Sequence, residues 1–176
     1  MGLEKMILLF GCRYLSSGKA YLIQNEPSVR HIKTLRNGQF VAVRQSKGQP
    51  DFIIHFNSQT VLFDAKEFHG RRFSFSSLSH HQFLAMQSFE RCGGHSALFM
   101  RAKDTEEFFV LPFSTFQKKY QVWFKNKCTD TKTKKGEASL SLAFIRENGF
   151  LWNANGYIDA LMEMTQRRKI HLDPMT

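Results

Sequence analysis

The sequence predicts an α/β fold in which helices flank a mixed central β-sheet and a basic β-hairpin stalk protrudes from it. One observation is the order of the periodic segments, which runs from a helix through several strand-like runs to further helices. A second is the hydrophobic content of 42% in 176 residues, enough to bury one sizeable core. A third is the set of turn signals between the strand-like runs. We therefore expect one compact domain over residues 1–176.

The first elements are a helix, a short strand and a hairpin. Apolar residues recur at helical spacing over residues 4–15, and a Ser-Ser-Gly sequence ends this helix. Residues 20–24 are β-prone. Asn37-Gly38 lies between two strand-like runs, residues 30–35 and 39–44, and Asn-Gly in that position is a strong hairpin signal. Residues 27–49 are thus predicted to form an inserted, two-stranded stalk.

The remaining elements follow from the same signals. Residues 51–56 and 60–66 predict a hairpin joined by Asn57-Ser58, with a polar loop over residues 67–72 after it. A helix over residues 80–91 should end at Gly93-Gly94. Further along, we expect a strand pair (96–101 and 107–111), a helix (113–124), a Lys- and Thr-rich linker (125–137) and two short helices (near 139–148 and 157–168).

The charge of the chain favours a polyanionic partner. Lys and Arg number 25 against 15 Asp and Glu, which gives a formal net charge of +10. The stalk region has a single acid, Glu26. The predicted DNA contacts are Arg30, Lys33, Arg36, Arg44 and Lys47 on the stalk and Arg71 and Arg72 after it. The lysines between Lys118 and Lys135 either contact phosphates or belong to a solvated linker.

The cysteines and the N-terminus indicate the compartment. Cys12, Cys92 and Cys128 are odd in number and show no paired zinc or redox spacing, so we interpret them as free thiols in a reducing compartment. The apolar run over residues 6–10 is too short to span a membrane and lacks the pattern of a cleaved signal. We expect a soluble, cytoplasmic protein.

The residues predicted to form a reactive site are two carboxylates and a lysine: Asp51, Asp64 and Lys66. If Asp51 opens one strand of a hairpin and Asp64 lies on its partner, the two carboxylates converge at one end of the sheet. Asp64 and Lys66 are two residues apart, so on a strand they share a face. A solvated strand edge would explain the same residues without any chemistry.

Two close carboxylates repel each other unless a cation lies between them, and hard oxygen ligands favour Mg²⁺, with Mn²⁺ as a substitute. A metal held there polarises a phosphodiester and helps to ionise the attacking water. Lys66 would then stabilise the negative charge of the pentavalent phosphorane.

The order of several short motifs resembles the PD-(D/E)xK nuclease superfamily, and within it the RecU family of Holliday-junction resolvases. The resemblance covers nearly all of the chain. It is carried by residues 2–4 with Tyr14 and Gly18, the basic stalk, Phe63-Asp64-Ala65-Lys66 in place of Phe-Glu-Ala-Lys, Phe73, His81-Gln82, residues 94–101, the Phe-Phe-Val-Leu-Pro of residues 108–112, and residues 145–149. The position two before Asp51 is Gln49 where the family often has Thr.

The resemblance implies roles for individual residues. Asp51 and Asp64 would bind the metal, and Gln82 would add a contact at the metal site, directly or through water. Lys66 would stabilise the transition state. Glu4 would approach from the first helix and help to hold metal or water, although an acid in a first helical turn is also favoured by the helix dipole alone.

The resemblance also implies a substrate and partners. Resolution needs two symmetric nicks in opposed strands of a four-way junction, so a two-fold homodimer is expected. A recombinase partner is a further expectation. Two alternatives remain open: a restriction- or repair-type endonuclease acting on duplex DNA, and a non-catalytic DNA-binding recombination protein.

Overall fold

The computed structural model of the protein describes residues 1–25, 29–44, 49–128, 138–153 and 155–172. The helices are α1 (Leu3–Ser16), α2 (His80–Arg91), α3 (Phe113–Cys128), α4 (Leu142–Asn148) and α5 (Ile158–Leu172). The strands are β1 (Tyr21–Gln24), β2 (Val29–Thr34), β3 (Phe40–Arg44), β4 (Phe52–Phe56), β5 (Gln59–Phe68), β6 (Arg72–Ser74), β7 (His95–Ala102), β8 (Glu107–Pro112), β9 (Ser139–Ser141) and β10 (Phe150–Trp152).

Six strands form one mixed sheet in the order β1-β4-β5-β7-β8-β10. Strands β5 and β7 are parallel, and the other neighbouring pairs of this sheet are antiparallel. The chain crosses from β5 to β7 through β6 and α2, because parallel neighbours cannot be joined by a tight turn. The predicted α/β fold with a mixed central sheet is confirmed.

Each face of the sheet packs against its own layer of helices. Helices α1 and α5 cover one face through residues such as Ile7 and Leu161, and α2, α3 and α4 cover the other through residues such as Met86 and Phe116. Strand β5 alternates between the two layers. Phe63 packs on the α1–α5 side, so its neighbour Asp64 is directed to the α2–α3 side.

Both predicted hairpin turns are confirmed. Asn57 and Ser58 connect β4 to β5 with φ angles of 44° and 59°, the left-handed values that a two-residue hairpin turn needs. Gly38 has a φ of 81° in the turn between β2 and β3. These two strands pair with each other as a separate two-stranded sheet. The predicted stalk is therefore a hairpin over the part of residues 27–49 that the structure describes.

Several predicted boundaries were wrong. Residues 125–128, predicted as linker, continue α3, because no Gly or Pro interrupts them and lysines are favoured at a helix C-terminus. Residues 129–137 lie outside the described residues.

The predicted helix over residues 139–148 starts only at Leu142, since the Ser141 side chain accepts from the Phe144 N–H and caps the helix there. Before it, β9 pairs with β6. In the predicted loop over residues 67–72, β5 runs on to Phe68 and β6 begins at Arg72.

Within the described ranges, no helix is both long enough and apolar enough to cross a membrane.

Candidate active site

Asp64 is the centre of the site. It lies in the middle of β5 between Leu62 and Lys66, on the face that packs against α2, and its side chain has no exposed surface. Lys66 Nζ lies 2.5 Å from Asp64 Oδ2, and the Gln82 side-chain amide donates to Asp64 Oδ1 at 2.6 Å. A buried carboxylate is costly unless it is paired, so two partners from two elements hold this one in place.

Asp51 joins the site from the neighbouring strand. It directly precedes β4, whose Phe52 pairs with Phe63 of β5, so the next pair of positions along the hairpin brings Asp51 beside Asp64. The Ala65 N–H donates to Asp51 Oδ2 at 2.9 Å. The structure thus brings Asp51, Asp64, Lys66 and Gln82 together, as the sequence predicted.

The acidity of Asp64 reflects its surroundings. The pKa of Asp64 is raised to about 7: burial is the largest cause, the ammonium of Lys66 acts in the opposite direction, and the nearby carboxyl of Asp51 adds to the rise. A second cation close to the two carboxylates would favour the ionised form of both. The site therefore has more negative charge, when ionised, than Lys66 alone balances.

Gln82 is held at both ends of its amide. Its backbone N–H donates to Ser79 Oγ, and its side-chain oxygen accepts from the Ser79 N–H at 3.1 Å, which forms a capping box at the start of α2. The amide nitrogen is then directed to Asp64. Rotating the amide by half a turn would place oxygen against Asp64 and nitrogen against an N–H, so the two contacts together fix its orientation. In this arrangement Gln82 orients Asp64.

The donor set fits a divalent cation. Asp64 Oδ2 is buried and has Lys66 as a charge partner, yet the contact has no hydrogen-bond geometry. Among the described residues no group of three or more His, Cys, Asp and Glu side chains could hold a metal ion. Mg²⁺ commonly uses only one or two carboxylates and takes its remaining ligands from water and phosphate oxygens. Asp51 and Asp64 meet that requirement.

Glu4 is not joined to this cluster. It is exposed in the first turn of α1, and in the part of the chain that the structure describes no hydrogen bond or ion pair links it to Asp51, Asp64 or Lys66. The start of α1 nevertheless lies at the end of β5, because the Leu3 N–H donates to Glu67 Oε1 at 2.9 Å.

Glu67, which follows Lys66 directly, was missed by the sequence reasoning. It pairs with Arg101 at 3.0 Å and with Lys103 at 2.8 Å, and Arg101 also donates to the Met1 carbonyl. Helix α1 has no side-chain cap of its own, so Glu67 supplies one from the sheet. A charged residue directly after the motif lysine was the only sequence signal for this role.

Four of the seven predicted DNA contacts have described side chains, and all four are exposed. Lys33 and Arg36 are exposed on the β2–β3 hairpin, and Arg71 and Arg72 are exposed at the start of β6. Arg72 also donates to Ser139 Oγ at 2.7 Å. The side chains of Arg30 and Arg44, and all of Lys47, lie outside the described residues. On α3, Lys118, Lys119, Lys125 and Lys127 are exposed.

A mixed sheet with a buried aspartate and a lysine two residues later on the same strand is the arrangement expected of the PD-(D/E)xK class. The chain belongs to the RecU family: the family model described as "Recombination protein U" matches residues 1–166. This confirms the predicted family and supports the predicted function, a Holliday-junction-resolving endonuclease.

The comparisons with curated proteins and with solved structures add less information about this chain. No curated protein sequence matches the chain. Among solved structures, the chain is similar to Hjc, a Holliday junction resolvase from Archaeoglobus fulgidus, with 8% identity and a TM-score of 0.47 over 83% of this chain and 93% of that one.

Proposed function

We propose that this RecU-family protein cleaves four-way DNA junctions by divalent-metal-dependent hydrolysis of opposed phosphodiesters. The convergence of Asp51, Asp64 and Lys66 at one place in the sheet is the observation that carries the proposal. A phosphodiester placed there would meet a cation site and a primary ammonium together.

Asp51 and Asp64 would hold Mg²⁺, for which Mn²⁺ can substitute. When bound, the ion supplies Lewis-acid polarisation of the phosphate and lowers the pKa of the attacking water. Gln82 keeps the Asp64 carboxylate in one orientation through its contact at 2.6 Å. Such supporting contacts typically affect metal affinity or activity by about 10–100-fold.

Lys66 changes partner in this mechanism. In the structure its ammonium neutralises Asp64, and a cation on the two carboxylates would take over that role. The ammonium is then available to the negative charge that develops on the phosphorane oxygens. Glu4 lies in the first turn of α1, whose Leu3 contacts the end of β5, and we propose that Glu4 orients water at the same site.

The exposed basic side chains bind the DNA without reading its sequence. Lys33 and Arg36 belong to a stalk, residues 27–49, whose sequence contains no Asp or Glu, and Glu26 directly precedes it. Contacts of this kind with phosphates give affinity that falls steeply with salt. We propose that the stalk enters the open centre of the junction and that Arg71 and Arg72 contact an arm.

Two cuts require two sites, so we propose a two-fold homodimer. Edge strand β1, which leads into the stalk, exposes Tyr21 by 54% and Ile23 by 44%. These two side chains share one face of the strand and suit a self-complementary contact. Ile23→Glu should yield a monomer by light scattering. Leu151→Glu, on the opposite edge strand and 62% exposed, is the control and should leave the mass unchanged.

A cytoplasmic location and a recombinase partner complete the proposal. The free thiols of Cys12 and Cys92 are compatible with a reducing compartment. Recombination proteins act on strands that a recombinase has exchanged, so a pull-down with that class of protein would test the partner.

The function is tested with a labelled four-way junction and a linear duplex of the same arm sequences, each incubated with Mg²⁺. We expect paired nicks in the junction only. Cutting of the duplex at least as readily would favour a restriction- or repair-type endonuclease. No cutting of either substrate would favour a non-catalytic DNA-binding protein.

Asp51→Asn separates binding from cutting. Removal of one metal ligand should abolish cleavage and leave junction affinity unchanged, because the basic side chains are intact. A folded Asp51→Asn protein that no longer binds any DNA would contradict this division.

A further inference from the structure

An apolar groove of about 420 Å³ runs between α2 and α3, in the layer that α2, α3 and α4 form. Its lining includes His80, Phe83, Leu84, Tyr120, Phe124 and Lys125. Leu84 is 42% exposed at its rim, while Phe83 and Tyr120 are buried at its base. Such a concave apolar surface on a highly charged protein indicates a ligand.

The rings in this groove are nearly parallel. His80 stacks on Phe124 with 4.2 Å between ring centroids and an interplanar angle of 2°. Phe83 stacks on Tyr120 at 4.4 Å and 17°, and Tyr120 lies at 11° to Phe124. Most other ring pairs in the core are tilted or edge-to-face. Parallel rings beside an opening are suited to a further flat ring stacked on them.

Among the described residues that line the groove, none is acidic. Lys125 lines it, and Lys118 lies two helical turns before Lys125 on the same side of α3. Helix α3 contains no acidic residue, and the only acid of α2, Glu90, accepts from the Ser96 N–H instead. A flat ligand that carries negative charge therefore fits better than an apolar peptide.

The groove and the candidate active site share one element, the first turn of α2. His80 and Gln82 both belong to the first turn of α2, on opposite flanks of the helix, and Gln82 contacts Asp64. The start of α2 therefore lies between the two sites.

We propose that this groove stacks unpaired bases of single-stranded DNA on the side of α2 opposite Gln82. Stacking of bases on aromatic side chains, with basic residues along the backbone path, is a general means of binding single strands. The proposal rests on the proposed DNA function, and it adds a binding site to it.

The test compares two labelled 12-mers, oligo(dT) and an abasic strand with the same phosphates, by fluorescence anisotropy in EDTA. Wild-type protein should bind oligo(dT) about tenfold more tightly, since each stacked base contributes a factor of this order. The ratio of the two affinities measures stacking alone, because both strands carry the same charge.

Two variants should reduce that ratio to about one: Leu84→Glu, which changes only the rim, and Phe124→Ala, which removes a stacking ring. Val122→Glu introduces the same charge at a 57% exposed position of α3 outside the groove, and it should keep the wild-type ratio. Circular dichroism melts confirm that each variant is folded.

Equal binding of the two strands by wild type, or an unchanged ratio in Leu84→Glu, would overturn the groove proposal. Junction cleavage with Mg²⁺ is measured on the same preparations. If wild type cleaves the junction but binds oligo(dT) and the abasic strand equally, only the groove proposal is rejected. A base preference that Leu84→Glu abolishes, without cleavage of any substrate, would support the groove and reject the proposed catalytic function.

Discussion

The active-site cluster and the β2–β3 hairpin place charge in opposite environments. At the cluster, Asp64 is fully buried and its two oxygens contact Lys66 and Gln82. On the hairpin, Lys33 and Arg36 are exposed. Buried charges interact strongly over short distances and tolerate no loss of a partner, while exposed charges are screened by salt. Chemistry and DNA affinity are therefore expected to respond to different changes.

The largest effect should come from the cluster itself. Asp64→Asn should abolish cleavage, and Lys66→Ala should reduce it by about 10²–10³-fold, the usual cost of a lost transition-state donor. Single-turnover rates on a four-way junction measure both. Junction affinity should stay at the wild-type value, and a matching loss of affinity would end the distinction between the two regions.

Asp64→Asn should also stabilise the metal-free protein at high pH. The pKa of Asp64 is raised from 3.8 to about 7 because its neutral form is favoured in the folded protein. The stability that the neutral carboxyl gives the fold is therefore fully present below pH 4 and is lost as the pH rises through 7. Asp64→Asn should thus raise Tm at pH 8 in EDTA by several degrees, at about 2–4 °C per kcal/mol, and by much less at pH 5. An equal gain at both pH values would contradict the assigned ionisation.

A smaller effect is expected at Gln82. Gln82→Ala should lower metal affinity or activity by about 10–100-fold, since it removes the group that orients Asp64. Ser79→Ala is the control, because it removes the cap of α2 but not the Asp64 contact. It should cost about 1 kcal/mol of stability with little loss of rate. Calorimetric titration with Mn²⁺ separates the two variants.

The hairpin should respond through salt. Lys33→Gln with Arg36→Gln should reduce the slope of log affinity against log salt by about two, one for each phosphate contact. The rate of cleavage at saturating junction should not change. Binding measured between 50 and 200 mM salt, the range over which such contacts weaken, tests this. An unchanged slope would mean that these side chains do not contact phosphates.

The smallest effect concerns Glu67. Burial works against its charge, but hydrogen bonds from Lys103, the Leu3 N–H and Arg101 lower the pKa of Glu67. Its stabilising contribution is therefore present above its ordinary pKa of 4.5 and is lost as the pH falls through the lowered value. Glu67→Gln should cost about 1 kcal/mol at pH 7 and speed amide exchange at the start of α1. Glu163→Gln breaks only an exposed pair with Arg167 and should cost less.

Local signals predicted the parts of the fold that depend on local physics. The two hairpin turns follow from Asn-Gly and Asn-Ser pairs, and the bounds of α2 follow from a Ser-x-x-Gln cap. That Phe63 and Asp64 lie on opposite sides of β5 follows from the geometry of any strand. The three-residue strands β6, β9 and β10 were missed, because so short a run has no periodicity to detect. The continuation of α3 past residue 124 was missed because polar, lysine-rich residues resemble a linker.

The sequence alone determined the class of the protein, and it predicted Asp51, Asp64 and Lys66 as reacting groups from their spacing and from the resemblance to a family. The tertiary structure decided how those groups are held. Only the packing of α2 on β5 gives Asp64 its burial and its Gln82 partner, and only the end of β5 beside α1 gives Glu67 its capping role. These contacts join residues far apart in the chain, and no local pattern specifies which distant side chains will exclude water together.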